Sequence, residues 1–185
     1  DVDAFFIDLD LNDVPLEDRS FYYREAAETW TEVITAGLPD VAASQIPENL
    51  WPVAPCTLPN GDIDDVYVCI DLKKFDRRNE NVVASASPVF ARAAEAGGLP
   101  LTGIVTVNQD RVADLKNANI YQDTIRHELA HVLGLGSMWG QRSLTSQVVV
   151  GSSTKCYYAG ARANQEYQAL SGCGSNTILL GASCG

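Results

Sequence analysis

The stretch Arg126-His127-Glu128-Leu129-Ala130-His131-Val132-Leu133-Gly134 decides how the rest of this 185-residue chain is read. Two histidines four apart on one helix project from the same face about one turn apart, so both imidazoles can reach a single ion. Imidazole nitrogens suit zinc, at bond lengths of about 2.0–2.1 Å. Glu128 stands next to His127, placed to meet a water on the ion without itself being a ligand, which completes the H-E-x-x-H pattern. A lone helical histidine is more often a packed or solvated residue than a ligand. Here the chain has only two histidines, and both fall inside the pattern.

A zinc site that does chemistry needs a third protein ligand and an open position. The chain holds no other histidine, and Glu166 is its only acid beyond Glu128. In the short three-histidine arrangement H-E-x-x-H-x-x-G-x-x-H a glycine turns the chain so that a third His returns to the ion. Gly134 supplies that turn, but Ser137 stands where the third ligand belongs. Glu166 could serve in principle, although a solvated acid on a surface helix is the favoured reading of it.

Outward from the motif, Ile125, Leu129, Val132 and Leu133 extend a helical pattern back to Tyr121, and Gly134 closes it. Upstream, GIVTVN at Gly103 to Asn108 reads as a strand, and Ser87 to Ala96 as a helix ended by Gly97-Gly98 before Pro100. Ile63 to Leu72 is β-rich, and residues 44 to 62, rich in Pro and turn formers, read as a surface excursion tied down by a bridge. Phe21, Ala26, Trp30, Val33 and Ile34 predict a core helix from Ser20 to Ala36, with Ser20 as cap and Gly37 as stop. Ala4 to Leu11 reads as a strand; the acids beside it, through Asp13, Glu17 and Asp18, lack calcium-loop spacing and read as a solvated edge. Downstream, a strand at Gln147 to Val150 and a helix around Arg162 to Leu170 are expected.

Composition narrows the classes. Hydrophobic residues make up 46% and charged residues 20%, which is globular rather than disordered. A net charge of -11 lacks the basic face that a phosphate backbone demands, so a nucleic-acid partner is not expected. No apolar run reaches the roughly 18–20 residues of a membrane span. The chain opens at Asp1 without a basic-plus-apolar leader, so a signal or pro-segment is expected to have been removed or never present. Five cysteines point to an oxidising compartment, hence a secreted or cell-surface protein. Cys56 and Cys69 flank a turn, Cys156 and Cys173 flank a helix, and each pair is a candidate bridge; Cys184 is left over.

With these residues in place, the chain resembles the leishmanolysin family of metzincin zinc endopeptidases. The similarity lies in Phe21 to Val41, Ile63 to Ile70, Leu99 to Val107 and His127 to Trp139, in that order, and then in Tyr158-Ala159-Gly160, Ala163 and Tyr167 to Leu170. The resemblance implies an α+β, metzincin-like zincin fold: a twisted mixed sheet packed on a core helix and on an active-site helix carrying the motif. Residues 1–134 would form an N-terminal catalytic subdomain, and 135–185 the start of a C-terminal subdomain that is incomplete here. It implies a zinc endopeptidase in which His127 and His131 are ligands and Glu128 is the general base. It further implies that a peptide or protein substrate lies along an edge strand at Gly103, Ile104, Val105 and Thr106. In the family a long insertion separates the third histidine from the motif. A C-terminal remainder of the same protein is therefore expected to supply a third His, a methionine turn that Met138 is too early to form, and a partner for Cys184. The alternative is an inactive pseudo-peptidase that keeps the fold as a binding or adhesion module.

Overall fold

Why the motif helix stands where it does follows from a mixed α+β architecture given by a computed structural model that describes residues 4–47, 51, 56–151, 153–171 and 177–181. The chain forms two compact units, Asp1–Gly134 and Leu135–Gly185. The first is built on a four-stranded mixed sheet. Its strands are β1 (Ile7–Asp10), β4 (Val66–Lys73), β5 (Ala84–Ala91) and β6 (Pro100–Asn108), in the order β1-β4-β6-β5. β1, β4 and β6 run parallel, with Leu9 beside Val68 and Val68 beside Gly103, while β5 pairs antiparallel to β6. A short ribbon of β2 (Val41–Ala42) and β3 (Asp62–Ile63) lies in the excursion that follows the first helices.

Alternation along the strands separates two faces. Ile7, Val66, Val68, Ile70, Val105, Val107 and Ala84 share one core cluster with the helices, namely Tyr23, Ala26 and Ala27 upstream and Tyr121, Ile125, Leu129 and Val132 downstream. Burying each such large side chain is worth about 1.5–3 kcal/mol. The other face carries Tyr67, which joins Ala43, Ile46, Ile63 and Leu101, and Cys69, which is bridged to Cys56. The excursion is thus stapled to the middle of the sheet, as expected of that pair.

The first helical region departs from its expected form. It begins at α1 (Leu16–Asp18) after Pro15, passes through a π-helical turn (Arg19–Arg24), and continues as α2 (Glu25–Val33). Ser20 lies inside the turn and is no cap. A π turn adds a residue to the repeat and rotates the buried stripe, so Tyr23 is buried where Phe21 was expected, and Phe21 and Val33 are exposed. The acidic stretch is not simply a solvated edge either. Asp18 is buried and holds Lys116 Nζ at 2.6 Å, and Asp10 is buried as well. Asp65, 1% exposed, accepts hydrogen bonds from the Phe6 and Leu38 amides and so ties the residue before β1 and the segment after α2 to the start of β4.

Two further expectations are overturned. Residues 87–96 are not a helix: β5 continues to Ala91, and only Ala94–Ala96 forms a 3₁₀ turn before Gly97, at φ 85°. Alanine favours helix locally, but the ladder to β6 and a bulge between Pro88 and Phe90 win over propensity here. Moreover, β6 is a central strand paired on both sides, so Gly103, Ile104, Val105 and Thr106 have no free edge to offer a substrate. Among the described residues, β5 pairs only with β6 and is the edge strand on that side.

The second unit holds an antiparallel sheet of β7 (Thr145–Val150), β8 (Ser153–Tyr158) and β9 (Leu179–Gly181), with α5 (Ala161–Ser171) between the last two strands. Asn164 Nδ2 donates to Tyr158 O at 2.8 Å, and the Ile178 amide donates to Asn164 Oδ1 at 3.0 Å, so one buried side chain joins helix to sheet. Cys156 is buried and disulfide-bonded; Cys173 and Cys184 lie outside the described residues. Among the described residues no helix is long and apolar enough to cross a membrane.

Candidate metal centre

The motif lies on α4 (Tyr121–Val132), which follows the short helix α3 (Val112–Asn117). No side chain caps its N-terminus. Tertiary contacts at three points along it pin it instead. At the first turn, the Tyr121 and Tyr23 hydroxyls are hydrogen-bonded and Gln122 Nε2 donates to Phe21 O at 2.6 Å. In the middle, Trp30 Nε1 donates to Arg126 O at 3.0 Å. At the last turn Val132, fully buried, rests on the backbone of β6 at Gly103. The helix ends in a left-handed residue, Gly134 at φ 95°, whose amide donates to His131 O at 3.1 Å.

Burial of Tyr121, Ile125, Leu129 and Val132 aims that stripe at the sheet and leaves His127 and His131 on the outer flank. Their Nε2 atoms stand 3.1 Å apart, with ring centroids at 4.6 Å and planes at 87°. Two ligands of a tetrahedral ion with bonds of 2.0–2.1 Å stand about 3.3 Å apart, so the pair fits two corners of one zinc shell almost without adjustment. The donor set fits zinc chemically as well, two imidazole nitrogens on an accessible surface. His131 lies in the last turn, where the helix dipole favours positive charge.

Glu128 is the buried carboxyl of the motif. It is 7% exposed, and burial pushes its carboxyl above the ordinary range, with the imidazoles of His127 and His131 pulling it back down. Glu166 is exposed on α5. Among the described residues, no group of three or more His, Cys, Asp or Glu side chains is gathered closely enough to hold a metal.

The structure thus brings His127 and His131 together, keeps Glu128 on the same helix, and gives the strand residues 103–106 a different role. Gly103 is the close-approach point for α4, and Ile104 lies on the opposite face, beside the Cys56–Cys69 bridge. Sequence reading missed Trp30 as the anchor of α4, and missed β5 as the edge beside it. The alternation of Ala and Ser from Ala84 to Ser87 was the available signal for the strand. No protein-family model matches the chain, and neither does any curated protein.

Proposed function

We propose that this chain carries the metal-binding helix of a secreted or cell-surface zinc endopeptidase of the leishmanolysin-like metzincin type. The observation that carries the reading is the 3.1 Å separation of the two Nε2 atoms, with Glu128 on the adjoining flank of the same helix. Both imidazoles bind as neutral rings with a bare Nε2, each keeping its proton on Nδ1. The third ligand would be a histidine from a part of the protein outside these 185 residues. Zinc held there supplies Lewis-acid polarisation of a peptide carbonyl and lowers the pKa of water to about 7.

The chain's own residues do the rest. Glu128 takes a proton from the attacking water on a carboxylate oxygen and passes it to the nitrogen of the departing amine. An extended peptide pairs with the free edge of β5. The Asn108 amide donates to Val83 O at 2.9 Å, and in an antiparallel ladder alternate residues share that orientation. Ser85 and Ser87 therefore face β6, while Ala84, Ala86 and Pro88 face outward. Ala84 and Ala86 offer a donor and an acceptor each, and Pro88, with no N–H, offers only its carbonyl. The Cys56–Cys69 bridge supports an oxidising compartment.

The test is zinc stoichiometry and cleavage of a quenched peptide by the full-length protein. His127→Ala is expected to abolish both. Glu128→Ala is expected to keep one zinc per chain and to lower turnover by about 10²–10⁴-fold. Zinc without turnover in the wild type would make the chain a binding module, and no zinc at all would end the reading.

A further inference from the structure

We propose that Gly103 is a positioning residue for the histidine pair: with no Cβ on the central strand, Val132 seats the last turn of α4 on the sheet, and that seating sets where His131 stands relative to His127. The inference rests on the zinc reading and deepens it.

A Cβ on Gly103 would lie 2.3 Å from Val132 Cγ1, 3.0 Å from Val132 Cγ2 and 3.1 Å from the Ser87 carbonyl oxygen. Carbon atoms pack at about 3.5–4.0 Å, so a single added methyl overlaps the nearer Val132 methyl by about 1 Å or more. Neither partner can yield cheaply. Gly103 is held in β6 between Val68 of β4 and Pro88 of β5. Val132 is fully buried, and a β-branched side chain in a helix has one strongly preferred χ1.

What yields is the helix end. Upstream, α4 is fastened at Arg126 by the Trp30 indole and at Tyr121 by Tyr23. A push at Val132 therefore tilts the helix about those anchors. His131, the neighbour of Val132, moves further than His127, which adjoins the anchor at Arg126. Metal–ligand distances tolerate about 0.2 Å, so a shift on the order of 1 Å at the last turn exceeds the tolerance of a shared ion several-fold. The Ser87 contact adds a second constraint, because the same Cβ would also meet a backbone oxygen of the neighbouring strand β5.

The experiment measures zinc affinity of the full-length protein, using zinc alone in competition with a chromophoric chelator, alongside the denaturant midpoint. Gly103→Ala is expected to weaken zinc binding by about tenfold or more. Gly103→Ala combined with Val132→Ala removes both crowded methyls and is expected to return zinc affinity to within about threefold of Val132→Ala alone, even where stability stays low. If Gly103→Ala does not fold, Val132→Ile applies the push from the helix side and is expected to weaken zinc by about threefold or more. A packing role alone would lower the midpoint and leave zinc affinity where it was. Zinc affinity within about twofold of wild type in the folded single variant, or a double variant that binds no better than Gly103→Ala, overturns the inference and leaves the zinc reading intact. A wild type that binds no zinc overturns both.

Discussion

At the start of α4 two phenols share one hydrogen bond in the core, and their ionisation gives the fold a pH dependence. Burial pushes Tyr121 up to about 12 and raises Tyr23 as well; the Asp18 carboxylate adds to both. A tyrosine whose folded pKa is raised contributes stability that is fully present below the unfolded value near 10 and is lost as pH rises through the folded value. Unfolding free energy is therefore expected to be flat from pH 7 to 9, to fall above pH 10 and to be still falling at pH 12, as followed by urea titration. Tyr23→Phe should flatten that fall, since one of the two phenols is gone. Asp18 belongs to the same cluster through Lys116, which also lies over the Tyr22 and Tyr121 rings at 5.2 and 5.7 Å. None of this was visible in the sequence, where Asp18 looked like one of a run of solvated acids, because only its partner 98 residues away explains its burial. The histidines are the opposite case. Their four-residue spacing is local, and the helix converts it directly into a 3.1 Å pair.

Among the elements, α4 was legible and its supports were not. Apolar spacing set its extent to within one residue of the observed Tyr121–Val132. Its anchoring to α2 depends on the Trp30 indole, and Trp30→Phe is expected to cost about 1–2 kcal/mol in chemical denaturation by removing the hydrogen bond to Arg126 O while keeping most of the ring contact. The strand β5 reads as part of a helix in the sequence because the stretch from its last residue onward, Ala91 to Ala96, is alanine-rich. The pairing that makes it a strand is formed with β6, which the local sequence does not contain. The same blind spot placed the free edge on β6. A strand's own residues say that it is a strand, but whether one or both of its sides are paired depends on its neighbours. The π turn before α2 is a third instance, since one extra residue in a helical repeat moves the buried face from Phe21 to Tyr23.

For the first unit as a whole, the sheet divides labour between its faces. The helices, and with them the histidine pair, pack on one face, while Ala43, Ile46 and Ile63 of the excursion pack with Tyr67 on the other, where Cys56 is bridged to Cys69. Reducing that bridge, or Cys69→Ala with Cys56→Ala, is expected to lower stability by about 3 kcal/mol for a loop of this length. Zinc affinity should change by less than about twofold, because the bridge and α4 pack on opposite faces of the sheet. Denaturation and zinc competition with and without reductant check both halves. By itself the sequence determined what is local: a histidine pair and a carboxylate on one helix, the stop at Gly134, the stretch of β6 and the bridge across a turn. Only the tertiary structure decided what depends on distant partners. It made β5 the edge strand, buried Asp18 against Lys116, and gave Gly103 to the seating of α4 rather than to a substrate. Periodicity and spacing are written in neighbouring residues, whereas pairing, burial and close approach belong to segments that meet only when the chain has folded.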